Sequence, residues 1–173
     1  MFRYLLIAAA ALSLTACHGK LPGQGQGPQA SAAAESAAAK AFLAKNAKEP
    51  GVVTLPDGLQ YKIVSSGPAT GARPHMGDEV KVNYEGKLTN GKVFDSSYER
   101  GQPAAMPLKG LVKAWQEIIP MMRPGDVWML YVPPELGYGD EGAGNGDIPG
   151  GAALIFKIEL IDFLPGPSSN AQG

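Results

Sequence analysis

The sequence predicts an α+β protein: a curled antiparallel β-sheet wrapped on one short amphipathic α-helix, preceded by an N-terminal helix. Three observations carry that reading. Residues 52–64, 79–97, 126–133 and 153–163 are short segments of alternating or continuous apolar residues rich in Val, Ile, Tyr and Phe. Residues 111–122 repeat at helical spacing, and an alanine-rich run lies ahead of all of them. At 173 residues, the chain suffices for one domain of ordinary size with appendages.

Residues 1–16 read as an address rather than as part of that domain. Met1-Phe2-Arg3 supplies a basic start, and residues 4–16 form an uncharged apolar run. That run is shorter than the roughly 20 residues a spanning helix needs. It ends in "LTAC", where Cys17, the single cysteine of the chain, follows Thr15 and Ala16. The pattern resembles a bacterial lipoprotein signal, which implies that Cys17 is lipidated and becomes the mature N-terminus. His18, rather than Asp, at the next position implies an outer membrane lipoprotein, periplasmic or surface-exposed. A lipid cap also disposes of a free thiol that an exported protein with one cysteine cannot pair internally. Acyl chains contribute about 0.8 kcal/mol per buried CH₂, so several on one residue hold firmly to a bilayer. Residues 17–29, small and polar, form a flexible tether.

The helical segment occupies residues 30–50. Glu35 stands near its start and Lys40, Lys45 and Lys48 toward its end, which suits the helix dipole. Phe42 and Leu43 are its only large apolar residues, enough to dock one edge but too few for a long coiled coil.

From residue 51 to 165 the period changes. "VVTLPDGLQYKIV" reads as strand, Pro-Asp-Gly turn, strand. In "DEVKVNYEGKL", Val80, Val82, Tyr84 and Leu88 share a face, and "TNG" turns the chain into "KVFDSS", making residues 79–97 an antiparallel hairpin. "LVKAWQEIIPMM" places Leu111, Trp115, Ile118 and Met122 on one side of a helix that Pro120 ends or kinks. "DVWMLYVP" and "ALIFKIELIDF" complete the sheet, with Leu154, Phe156, Ile158 and Leu160 on one face. Residues 166–173 form a polar, disordered tail.

Charge and motifs exclude several functions. Fifteen basic against sixteen acidic residues leave a net charge of -1 and no basic field, so nucleic acid is not an expected partner. "GYGDEG" at 137–142 matches a dinucleotide fingerprint letter for letter. "VPPEL" before it and "AGNGDIPGG" after it leave no helix to hold a pyrophosphate. His18 and His75 sit in a tether and a loop without a Cys or His cluster, and Glu135, Asp140, Glu141 and Asp147 lack the spacing of a calcium loop. Ser96 and Ser97 have no nucleophile-elbow pattern and no nearby histidine base. No metal and no cofactor is expected.

One constellation remains. Tyr84, Phe94, Trp115, Tyr138 and Phe156 come from five separate elements. A sheet curled around one helix can gather them at the helix end into an aromatic cup whose only charged neighbour is Asp95. The blocks that carry these residues, "VNYEGKLTNGKVFDSS", "GLVKAWQEIIPMMRPGD", "YVPPELGYG" and "IPGGAALIFKIELID", resemble in order and spacing those of FKBP-type peptidyl-prolyl cis/trans isomerases. "KAFLAKNAKEPGVVTLPDGLQYKIV" is similar to the lead-in of the Mip-like bacterial branch. The resemblance spans roughly residues 40–163.

The resemblance implies a catalytic pocket of Tyr84, Phe94, Asp95, Trp115, Tyr138 and Phe156, with Leu111, Val112 and Ile148 binding substrate and Trp115 as the floor. It further implies that the Val112 N–H and Tyr138 hydroxyl donate to carbonyls of a bound peptide and that Arg100 holds Asp95. The partners implied are proline-containing unfolded or extended polypeptides, and the role implied is assistance to the folding of exported proteins. A non-catalytic chaperone or adaptor holding proline segments in the same cup is the alternative. Departures from the family pattern are Met106 where an aromatic is usual, Asp147 ahead of Ile148 where an apolar residue is common, and Gly150-Gly151 in place of a Pro-containing pair. Longer Mip-like relatives dimerise through an extended helical region; the short one here implies a monomer.

Overall fold

A computed structural model describes residues 28–166. Cys17, the signal-like run, the tether up to residue 27 and the tail from 167 lie outside the described residues. An N-terminal helix α1 (Pro28–Asn46) precedes seven strands and one internal helix: β1 (Val53–Thr54), β2 (Gln60–Ser65), β3 (Glu79–Leu88), β4 (Val93–Ser96), β5 (Ala104–Pro107), α2 (Lys113–Ile118), β6 (Val127–Val132) and β7 (Leu154–Leu164). All pairings are antiparallel, in the order β1-β2-β6-β7-β3-β4, with β5 also on β3. This is the α+β sheet-on-helix architecture that the sequence predicts.

Alternation sets the inner face. Val80, Val82, Tyr84 and Leu88 of β3 are buried, as are Leu154, Phe156, Ile158 and Leu160 of β7. Both sets close on Ala114, Trp115 and Ile118 of α2. Six residues are too few for a helix to persist alone, so α2 exists because its apolar side is covered. Fully burying one Ile or Leu side chain contributes about 1.5–3 kcal/mol. Pro120 acts as expected: α2 stops at Ile118 and a single 3-10 turn, Ile119–Met121, follows. Leu111 and Met122, grouped with this helix by spacing, flank it in extended conformation.

Two buried carboxylates fasten the loops around the sheet. Asp78 accepts from the backbone N–H of His75 at 2.7 Å and of Gly166 at 2.9 Å. Asp126 accepts from Gly67 at 2.7 Å and Arg123 at 2.8 Å. Such charge-assisted bonds compensate a buried carboxylate for its lost hydration.

Strand β5 was absent from the sequence reading. Ala104, Ala105, Met106 and Pro107 carry little β signal, and Pro107 is tolerated because it ends an edge strand. β3 is long enough to take two partners on one edge, β5 along residues 79–82 and β4 along 85–87. The turn between them sets Arg100 against Asp95 and Tyr84, and Tyr98 against Lys157 and Glu159 on the outer side of β7.

Helix α1 lies on the face of the sheet away from α2. Ala32, Ala39, Leu43 and Asn46, one side of the helix, are buried. Asn46 Nδ2 donates to Gln60 Oε1 at 2.8 Å, Gln60 Nε2 donates to the Leu43 carbonyl at 2.9 Å, and the Phe42 ring is 6.2 Å from that of Tyr131.

Candidate active site

At the N-terminal end of α2 the inner face opens into a cavity of about 250 Å³. All five aromatics grouped by the sequence reading line it, together with Asp95, Leu111 and Val112. Three edge-to-face contacts fix the rings: Tyr84 on Trp115 at 5.2 Å, Trp115 on Phe156 at 5.4 Å, and Phe94 on Phe156 at 5.7 Å. This arrangement suits the ring quadrupoles and locks each wall against the next. Trp115 is 4% exposed and forms the floor.

Backbone details that escaped the sequence reading set the cup's shape. Gly86 pairs with Asp95 on one side and Phe156 on the other, so β3 passes beneath both phenylalanine rings. Ser97 is fully buried and pins Tyr84: its Oγ accepts from the Tyr84 N–H at 2.8 Å, and its own N–H donates to the Tyr84 carbonyl at 2.9 Å. Gln116 Nε2 donates to the Leu111 carbonyl at 2.6 Å, holding the loop that enters α2. A glycine inside a strand pattern, Gly86, was the only sequence signal among these. Met106 and Gly110 also line the cavity.

Asp95 is the one charged residue on the wall. The Tyr84 hydroxyl donates to its Oδ2 and Arg100 Nη1 to its Oδ1; Arg100 Nη2 donates to the Tyr84 hydroxyl at 2.9 Å. The Arg100 guanidinium also lies 5.4 Å from the centre of the Tyr84 ring. Burial raises the Asp95 pKa, but the hydrogen bonds from Tyr84 and Arg100 and the Arg100 charge outweigh it, holding the carboxyl below its ordinary value. Burial, and next the bond to Asp95, raise the Tyr84 pKa, so this hydroxyl stays a donor.

Besides Trp115 Nε1, which is buried without an acceptor among the described residues, two donors at the cavity are unengaged. Val112 caps α2 in extended conformation, and its N–H has no acceptor among the described residues. The Tyr138 hydroxyl likewise has no partner there, and its pKa is raised by burial and then by the Asp95 charge. A concave apolar site with a charged rim and two unengaged donors is built to hold an extended chain segment with an apolar ring inserted and its carbonyls at the rim.

Two residues of the implied site lie outside the wall. Ile148 does not line the cavity; it is 6% exposed, packs in the core and closes a bridge with Ala143. Arg100 is absent from the wall and holds Asp95 and Tyr84 from beside it, the contact with Asp95 that the resemblance implies. "GYGDEG" runs through turns that end just before that bridge, and the next helical element among the described residues is a single 3-10 turn, Gly144–Gly146, with no α-helix after it.

Comparison with known proteins agrees with the geometry. Residues 71–161 match the family described as FKBP-type peptidyl-prolyl cis-trans isomerase, and residues 15–63 match the domain amino terminal to it. The chain is 56% identical over 122 residues to peptidyl-prolyl cis-trans isomerase Mip of Coxiella burnetii, covering 70% of this chain and 52% of that protein. It is 43% identical over 123 residues to the FKBP-type 22 kDa peptidyl-prolyl cis-trans isomerase of Escherichia coli, covering 71% and 58%. The chain thus spans about half the length of the curated relatives it matches. Among solved structures, FkpA from Escherichia coli superposes with a TM-score of 0.76 at 40% identity, covering 81% of this chain and 64% of that one. A Pseudomonas syringae peptidyl-prolyl cis-trans isomerase gives 0.70 at 34% identity, covering 77% and 96%. With its catalytic-type domain matched over more than half its length and its fold shared with solved members, this chain belongs to the FKBP-type peptidyl-prolyl cis-trans isomerase family.

Proposed function

We propose that this protein is a peptidyl-prolyl cis/trans isomerase that acts on proline-containing extended or unfolded polypeptides and assists the folding of exported proteins. The observation that carries this is the aromatic cup on Trp115, with Asp95 fixed at its rim and the Val112 N–H and Tyr138 hydroxyl unengaged. An Xaa-Pro bond rotates against a barrier of about 18–20 kcal/mol because its C–N bond has partial double-bond character. Twisting localises the nitrogen lone pair and reduces charge separation, so an apolar cup favours the twisted amide over the planar, more polar ground state. The two donors hold the flanking carbonyls while the bond turns, and no covalent bond breaks. A millionfold acceleration corresponds to about 8 kcal/mol of differential stabilisation.

Exchange NMR on a Leu-Pro peptide with the full chain tests this. Accelerated cis/trans exchange that Tyr138→Phe and Asp95→Ala slow by about tenfold is the expected result. Peptide binding without acceleration overturns the reading in favour of a non-catalytic adaptor.

The reading extends to location. We infer residues 1–16 to be a lipoprotein signal, Cys17 the lipidated N-terminus, residues 17–29 a tether, 30–50 an N-terminal segment that is helical up to Asn46, and 51–165 the isomerase domain, with 166–173 a tail, in a monomer held at the outer membrane. A relative from Legionella longbeachae, 45% identical over 121 residues, is named outer membrane protein MIP. Cys17→Ser is expected to abolish acyl labelling and membrane association while leaving peptide turnover unchanged; acyl label on that variant overturns the assignment.

A further inference from the structure

One edge of the sheet is half-paired. β1 covers only Gln60 and Tyr61 of β2, so residues 62–65 have a strand partner on the β6 side alone among the described residues. An unpaired edge presents N–H and C=O groups to any further strand, and most proteins blunt such edges with charge or proline. Here Ile63 and Val64 are 48% and 55% exposed. The register shift between Ile63 and Ser65 limits what can pair to a short segment.

Beside this edge lies a second cavity of about 410 Å³, larger than the cup and at the opposite end of the α2 region, where Met121 and Arg123 lie. Tyr61 and Trp128, stacked at 4.7 Å and 15°, form one wall. Arg73 and Arg123 line it too, and neither makes an ion pair among the described residues. The carboxylate in the wall, Asp126, already accepts from the Gly67 and Arg123 N–H groups. Arg123 Nε and Trp128 Nε1 are buried without acceptors there. The cavity therefore has one aromatic wall, two cations beside a single carboxylate that is already engaged, and buried donors without acceptors, which calls for an occupant with an apolar side chain and negative charge.

We propose that the free edge of β2 and the Arg73–Arg123 cavity form a second docking site for an extended acidic segment of a polypeptide. The segment adds as a short strand, places an apolar side chain against Tyr61 and Trp128, and turns Asp or Glu toward the arginines. A second copy of this chain fits worse, because two-fold pairing of β2 edges brings both arginine pairs to one seam. Docking an unfolded chain here raises the effective concentration of its prolyl bonds at the cup without new contacts in the cup.

The test uses the full chain and a fluorescein-labelled nine-residue peptide alternating Glu with Val and Ile, without proline, beside its Lys counterpart. The Glu peptide is expected to bind at least about tenfold tighter than the Lys peptide, with affinity falling as salt rises. N-methylation at alternate residues, which removes ladder donors, and Arg73→Glu or Ile63→Glu each weaken it by at least about tenfold. Turnover of a short Leu-Pro peptide is unchanged in both variants, which separates this site from the cup. Arg73 is an exposed loop residue, so its variant carries the test if Ile63→Glu unfolds. Equal binding of the two peptides, binding unaffected by the variants, displacement by a short Leu-Pro peptide, or a dimer that Ile63→Glu dissociates each overturns the proposal.

Discussion

Gly86 lies directly under the ring of Phe94: a Cβ built on it would stand 2.7 Å from two carbons of that ring and 2.8 Å from Cε1 of Phe156. The wall of the cup thus rests on bare backbone, and its depth depends on a residue with no side chain.

Gly86→Ala is therefore expected to push both rings inward or aside. Overpacking of this kind costs about 1–3 kcal/mol. Denaturant unfolding should show that loss, and exchange NMR a fall of at least about tenfold in kcat/KM for a Leu-Pro peptide. Unchanged kinetics would mean that the rings yield without altering the cup.

The pH profile follows from Asp95 and Tyr138. Asp95 has its pKa held below the ordinary 3.8, so its stabilisation is fully present above that pH and is lost as pH falls through the lower folded value. With 42% of its side chain exposed, screening keeps the contribution to about 1 kcal/mol or less. Tyr138 is shifted the other way, above 10.0, so its hydroxyl remains a donor throughout the neutral range. A kcat/KM that is flat from about pH 5 to about pH 9 is expected, and a titration near neutrality would contradict both assignments.

Gly151 seats helix α1. Its φ is +78°, and a Cβ there would lie 2.4 Å from the Ala32 carbonyl oxygen and 2.5 Å from Ser36 Oγ. Gly91, at φ +90°, has nothing within 4 Å, so it carries the same backbone preference without the contact. Gly91→Ala is expected to cost about 1–2 kcal/mol. Gly151→Ala should cost more, and hydrogen exchange should show α1 amides losing protection in that variant alone. Equal costs and equal protection would remove the seat.

Asp147 follows Gly146 in the loop beyond Tyr138, where a free carboxylate would favour Lys-Pro over Glu-Pro substrates. Its Oδ1 lies 2.9 Å from Lys92 Nζ, and it is absent from the cavity wall. The two peptides should differ by less than about threefold, and Asp147→Asn, which leaves Lys92 unpaired, should tip the balance slightly toward Glu-Pro. Lys92→Ala should restore a preference for Lys-Pro at low salt; a large charge preference in the unaltered chain would place Asp147 at the substrate.

The inner faces of β3 and β7 were legible because a two-residue period is a local signal: Val80, Val82, Tyr84 and Leu88 alternate whatever they pack against. The end of α2 was legible for the same reason, since Pro120 removes a backbone donor wherever it stands. Strand β5 was not, because Ala104 and Met106 become strand only when the first half of β3 offers an edge. Ile148 is grouped with the cup by family resemblance alone; the structure sets it in the core cluster that Tyr84, Trp115 and Phe156 share, bridged to Ala143.

By itself, then, the sequence determined which residues face inward, where the chain turns and that five aromatics lie on separate elements. Only the tertiary structure decided how deep the cup is, what Asp147 pairs with and where α1 rests. Those relations join residues far apart in the chain, 55 positions between Lys92 and Asp147. The curl and register of the sheet bring such residues together, and no local propensity encodes that approach.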